Sequence, residues 1–281
     1  MSAIVVVPPR VAAVPLIVTV PHAGRELPPA LADELRVSVA RLRQLEDPWM
    51  DTLLDAVPRA GGWLVTTHWA RAVADVNRGG DEFAFAGPVP GWRATGKARV
   101  GLGVVPTRLA GAPIYARPLD PTAVAARVAL AHTPYHDALA GLVDEVCARF
   151  GEAFVLDGHS MPDSAQAAGL PTADVVLGDR WGRAAEAAWT GVVDTALARE
   201  GFVTTRNRPY AGGYITCRHG RPEAGVHAIQ LECRRGLYMD EGRFVPRATF
   251  DDFHRRLSRV IHDVAGQLAA RPQAAFALAG E

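Results

Sequence analysis

The chain lacks most of the features that settle a protein's class at a glance. Its three cysteines, Cys147, Cys217 and Cys233, are scattered through 281 residues without CxxC spacing, which argues against a disulfide framework or a thiolate zinc site. They read as small buried or half-buried side chains. Neither sign of charge is in excess: 30 Lys and Arg offset 30 Asp and Glu. No overall field therefore gathers nucleic acid or an anionic membrane surface, and a small-molecule substrate is the expected partner. The opening stretch "MSAIVVVPPRVAAVPLIVTV" has no basic leading segment, and Pro8, Pro9 and Pro15 break its apolar runs. It predicts neither a signal peptide nor a membrane span, so the chain reads as cytoplasmic. HExxH, internal repeats, low-complexity tracts and a domain-separating linker are all missing; a single domain over residues 1–281 is expected, and oligomeric state is not legible.

What is present is core material, at 49% hydrophobic residues, and a regular alternation. Short β-branched runs alternate with Ala, Leu and Arg stretches of helical period, the pattern of an α/β domain with a mixed, mostly parallel sheet flanked by helices. Strands are predicted at Pro15–Val20, Trp63–Thr67, Ala72–Val76, Ala153–Asp157, Ala173–Leu177 and Val226–Glu232. Helices are predicted at Trp49–Ala60, Thr122–Phe150 with an interruption near Pro134, Arg180–Glu200 and Ala248–Ala270, with fraying from Arg271. The segment Gly79 to Pro121 is rich in glycine and proline and reads as a long functional loop.

Four apolar runs lead into polar residues that a turn does not require. Val20 leads to Pro21-His22-Ala23-Gly24, Val76 to Asn77-Arg78-Gly79, Leu156 to Asp157-Gly158-His159-Ser160, and Leu231 to Glu232. Ligands bind beyond the carboxyl ends of parallel strands, so these residues are expected to meet. Two histidines so placed suggest a catalytic metal, which takes three protein ligands and keeps one position open. The third ligand is expected to be a carboxylate or another histidine, with Glu26, Asp47 and Asp51 as the candidates, and spacing does not choose. His68, His132, His136, His254 and His262 read as packed or surface side chains; His132 and His136 have i, i+4 spacing without an accompanying HExxH. Glu232 at the end of a buried strand needs a partner or a task, and a base beside an activated water is such a task. Arg71, Asn77 and Arg78 flank the run "AVADV" and suit an anionic substrate group, with Asp75 as the neutralising partner of one arginine.

The stretches "VTVPHAGRELP", "EDPWMDTLLD", "RAVADVNRG", "PYHDAL", "LDGHSMPD", "GGYIT" and "GVHAIQLECRRGLYMDE" together resemble the N-formylglutamate amidohydrolase family, in order and approximate spacing. More distantly, "DVNRG", the His-Ser after a strand and the late strand glutamate resemble zinc carboxypeptidases of the carboxypeptidase A type. The resemblance implies a zinc-carboxypeptidase-like fold and a divalent metal, Zn2+, held by His22, Asp47 and His159. The family commonly carries an Asp four residues before another Asp in the block matching "DPWMD", which favours Asp47 over Glu26. It further implies Glu232 as the base, Asn77 and Arg78 on the substrate α-carboxylate, and Arg71 on the developing oxyanion or a second carboxylate. Arg218 is the counterpart of the distal-carboxylate contact, displaced by one position from the family's "TRHYG". The implied reaction is hydrolysis of N-formyl-L-glutamate in histidine degradation. Another N-acyl amino acid as substrate, or a non-catalytic amino-acid-binding relative, are the alternatives.

Overall fold

A computed structural model describes residues 4–165 and 172–270, so the fraying expected from Arg271 lies outside the described residues. Eleven strands are found among them: β1 (Ile4–Val7), β2 (Leu16–Val20), β3 (Trp63–Thr67), β4 (Arg108–Leu109), β5 (Ala112–Pro113), β6 (Ala153–Met161), β7 (Val175–Gly178), β8 (Thr204–Arg206), β9 (Val226–Arg234), β10 (Met239–Asp240) and β11 (Val245–Pro246). Seven form one sheet in the order β1-β3-β2-β6-β9-β7-β8, while β4-β5 and β10-β11 are two-residue hairpin ladders. The pairs β2–β6, β6–β9 and β7–β8 are parallel; β7–β9 is antiparallel. The result is an α/β fold with a mostly parallel central sheet flanked by helices, as the alternation of periods predicts. No described helix is long and apolar enough to cross a membrane.

The central strands β2, β6 and β9 are buried almost end to end, as expected of parallel strands covered on both faces. The helix Phe250–Ala269 buries Phe253, Leu257, Val260, Ile261, Val264 and Leu268, one stripe at helical spacing. It packs on the helix Ala187–Arg199 and on the short helix Met50–Leu53.

The chain divides into two compact units. Val20–Trp49 and Val65–Leu139 make most of the first; Val6–Thr19, Met50–Leu64 and the chain from Ala140 make the second. The first has its own apolar cluster, including Leu31, Val73, Phe83, Val104, Ile114 and Val124. Beside it Arg127 donates to the Tyr115 hydroxyl and pairs with Glu34.

Several elements differ from the sequence expectation. Ala72–Val76 is not a strand but a series of turns, with Val73 N bonded to Ala70 O and Asp75 N to Val104 O. Its apolar residues are buried in the cluster of loops around them, which satisfies the period-2 pattern without a ladder. The helix predicted at Trp49–Ala60 is two pieces, Met50–Leu53 and a 3-10 turn Val57–Ala60 that begins at Pro58's neighbour. Arg180 and Trp181 both adopt positive φ, 57° and 55°, so the helix expected from Arg180 starts at Ala187. At 121–150 the break is a π-turn, Val128–His132, set between the helices Pro121–Arg127 and Thr133–Phe150. Cys217 is exposed, not buried. Strands β1 and β8 are short and partly exposed, and their sequences carry no signal that separates them from loops.

Candidate active site

The strand expected to end at Asp157 runs on through "GHSM". β6 continues through His159 to Met161, and β9 continues through Glu232 to Arg234. In the parallel ladder Asp157 faces Gln230 and His159 faces Glu232. Side chains alternate along a strand, so these four share one face of the sheet. Each strand contributes a bonded pair to that face. Asp157 Oδ2 lies 3.0 Å from His159 Nε2, and Gln230 donates its amide to Glu232 Oε1 at 2.7 Å. Both pairs are fastened from behind: Thr19 donates to Asp157 Oδ1 at 2.7 Å, and Gln230 Oε1 accepts from Gly213 N at 2.7 Å. Gly158 lies on the opposite face, where an added Cβ would sit 2.5 Å from Leu54 Cδ1. The glycine in "DGHS" is therefore dictated by close packing under the strand.

His22 follows β2 and is 2% exposed. Its two ring nitrogens meet two carboxylates, Nδ1 to Asp47 Oδ2 at 3.1 Å and Nε2 to Asp75 Oδ1 at 2.8 Å. The backbone ties the same residues together, because Asp47 N donates to His22 O at 3.0 Å. Gly24 lets this loop touch its neighbour: a Cβ there would lie 2.2 Å from Trp69 O. Burial alone would raise the Asp75 carboxyl, but the charges of Arg71 and Arg78 and the hydrogen bond from His22 outweigh it and hold it well below the usual carboxylate range. Arg71 donates through Nε to Asp75 at 2.9 Å and through Nη1 to Leu45 O at 3.3 Å.

An ionised carboxylate only accepts hydrogen bonds, so the closer contact places the His22 proton on Nε2, toward Asp75. Nδ1 then presents a lone pair to the Asp47 carboxylate, and two acceptors 3.1 Å apart call for a proton or a metal cation. His159 likewise meets a carboxylate, Asp157, at Nε2. Ligand atoms of His22, Asp47 and His159, all buried, lie within 4.8 Å of one another. The residues therefore fit a metal of the zinc class, and each imidazole has the carboxylate support that metal-binding histidines usually have.

Of the other carboxylates considered, Glu26 has its side chain 51% exposed and lies 3.6 Å from His68. Neither it nor Asp51 belongs to the buried group. Asn77 is buried and its backbone N–H bonds to Asp75 Oδ1 at 2.9 Å. Arg78 donates to Leu102 O and Asn77 O. Arg218 is exposed on the helix Tyr214–His219 and donates to the Tyr214 hydroxyl at 3.2 Å. Two contributors escaped the sequence reading. Asp75 was expected as an arginine's partner and is also the partner of His22. Gln230 has no part in the sequence expectation; the period-2 repeat of "QLE" beside "DGH" is the signal that marks it.

A model of the N-formylglutamate amidohydrolase family matches residues 14–239. N-formylglutamate deformylase of Pseudomonas aeruginosa is 32% identical over 254 residues, covering 88% of this chain and 90% of that protein. The enzyme of the same name from Pseudomonas putida is 29% identical over 234 residues, covering 81% and 82%. The crystal structure of N-formylglutamate amidohydrolase from Ralstonia eutropha, 33% identical, superposes with a TM-score of 0.90 over 96% of this chain and 99% of that one. A gene product of Agrobacterium tumefaciens, 18% identical with a TM-score of 0.66, shares the fold.

Proposed function

The chain belongs to the N-formylglutamate amidohydrolase family, and from that premise we propose that it hydrolyses N-formyl-L-glutamate to formate and L-glutamate with a divalent metal, Zn2+, held by His22, Asp47 and His159. The observation that supports the metal is that buried ligand atoms of His22, Asp47 and His159 lie within 4.8 Å of one another, with Asp75 and Asp157 beside the two imidazoles. A bound zinc would polarise the formyl oxygen and lower the pKa of a water toward about 7.

The protein's own residues supply the rest of the chemistry. Glu232, oriented by the Gln230 amide at Oε1, takes a proton from the attacking water and delivers it to the departing amine nitrogen. Asn77 and Arg78 take the α-carboxylate, Arg78 through the guanidinium edge that its two carbonyl bonds leave over. Arg71, anchored on Asp75, adds positive charge for the tetrahedral intermediate.

The test is zinc content of the purified protein together with formate release from N-formyl-L-glutamate. Stoichiometric metal with formate release supports both halves of the reading, and metal without formate release sinks the substrate. One observation favours a second reading, a different N-acyl amino acid. Arg218, the expected contact for the distal carboxylate, is exposed and engaged with Tyr214, so assays across acyl groups and amino acids belong beside the first.

A further inference from the structure

His132 and His136 sit one turn apart, their ring centroids 4.5 Å from each other, and are 4% and 1% exposed. Neither belongs to the metal-binding group. Both rings reach the same short segment. His132 Nε2 lies 2.8 Å from Arg78 O, and His136 Nε2 lies 2.8 Å from Val76 O. A carbonyl oxygen only accepts, so each imidazole carries its proton on Nε2 and donates it. The two bonded carbonyls belong to the residue before Asn77 and to Arg78 itself. On the far side Asp75 accepts from Asn77 N at 2.9 Å through its carboxylate and from Arg78 N at 3.1 Å through its carbonyl. Each peptide unit around Asn77 and Arg78 is thus held by a side chain or turn, none by a strand. Gly80 lets His132 approach: a Cβ there would lie 3.1 Å from His132 Cε1. The histidines stand on a π-turn and the helix that follows it, and such single-turn departures from α-helix cluster at functional sites.

We propose that His132 and His136 are positioning residues for substrate recognition: they clamp the Val76–Arg78 backbone through its carbonyls and so fix how Asn77 and Arg78 meet an α-carboxylate. This rests on the reading of Asn77 and Arg78 given above. The clamp acts on discrimination, because a carboxylate bound through a fixed fork is lost when the fork can rotate.

The experiment uses His132→Leu and His136→Leu, which remove the donor, and His132→Gln and His136→Gln, which keep an N–H donor on a side chain of similar reach. Two properties are measured on the metal-loaded protein. One is the ratio of kcat/KM for N-formyl-L-glutamate to that for 4-formamidobutanoate, which lacks the α-carboxylate. The other is amide hydrogen exchange at Asn77–Gly80. Each Leu variant is expected to lower the ratio roughly tenfold, the equivalent of one lost hydrogen bond, and to speed exchange at Asn77–Gly80, with the Gln variants restoring both. An unchanged ratio in folded Leu variants overturns the proposal, as does a Gln variant no better than Leu. If the wild-type enzyme leaves N-formyl-L-glutamate intact, the substrate reading fails, and exchange decides the clamp by itself: faster in Leu but not Gln variants supports it, unchanged overturns it.

Discussion

His159 and Glu232 stand directly opposite each other on adjacent parallel strands, with their side chains on one face of the sheet. The relationship is rigid because it is set by the ladder rather than by a loop. Each residue is steadied by the side chain two positions before it in its own strand, Asp157 for the histidine and Gln230 for the glutamate.

Glu232→Gln separates the base from the metal. The substitution keeps the Gln230 neighbourhood nearly isosteric, so zinc content should stay at the wild-type level while kcat falls by about 10²–10⁴. Metal analysis and single-turnover formate release check it, and a rate near wild type would remove Glu232 from the mechanism.

Asp157→Asn and Asp75→Asn should loosen the metal without touching it. Each leaves its histidine less firmly oriented, and the expected loss is about 10–100-fold in zinc affinity. Competition with a chromophoric chelator measures it. Unaltered affinity in both variants would mean that the carboxylates serve folding alone.

Chelation of the native enzyme should abolish formate release, and stoichiometric Zn2+ should restore it. Full activity in protein shown to be metal-free would overturn the ligand assignment of His22, Asp47 and His159.

His219 makes stability depend on pH. Burial, helped by the charge of Arg218, pushes its imidazole down to about 4 from the usual 6.5. The unfolded chain therefore takes up the proton first as pH falls. The stability contribution is complete above about pH 6.5 and is lost progressively toward pH 4, to a limit of about 3 kcal/mol. Urea midpoints between pH 7 and pH 4 should fall more steeply for the native protein than for His219→Asn. Equal slopes would refute the assignment.

Gly158→Ala should destabilise the fold by about 1–3 kcal/mol, since overpacking is not relieved in a dense interior. The new methyl would meet Leu54 Cδ1 at 2.5 Å. Gly191→Ala, on the open side of a helix with nothing within 4 Å, is the control and should stabilise by up to about 1 kcal/mol. Thermal melts of the two variants give the comparison.

The sequence made the sheet legible where burial and β-branching agree. β3 was read to its exact ends, and β2, β6 and β9 each to within a few residues. It misled at Ala72–Val76, because alternating apolar residues fill a loop cluster as well as they fill a ladder. The group of His22, Asp47 and His159, which could hold a metal ion, was legible through two histidines after apolar runs; the choice of Asp47 needed the family pattern, since a contact 25 residues away leaves no local trace. Asp75, Gln230 and the two helix histidines are the harder cases. The partners of Asp75 and the histidines are a ring nitrogen and two backbone carbonyls, which have no characteristic spacing in sequence, while Gln230 is marked only by its period-2 relation to Glu232.

The π-turn at Val128–His132 amounts to a frameshift inside a helix. Ahead of it Val124 is buried and Arg127 holds Tyr115 and Glu34; at its last residue and in the helix that follows, two imidazoles hold the Val76 and Arg78 carbonyls. An uninterrupted α-helix advances about 100° per residue, so removing one residue from the turn would restore ideal helical bonding and swing one set of partners out of reach. The chain gives up regularity over these five residues so that a single helical run can serve two addresses, and a one-residue deletion here should yield a smoother helix and a poorer enzyme.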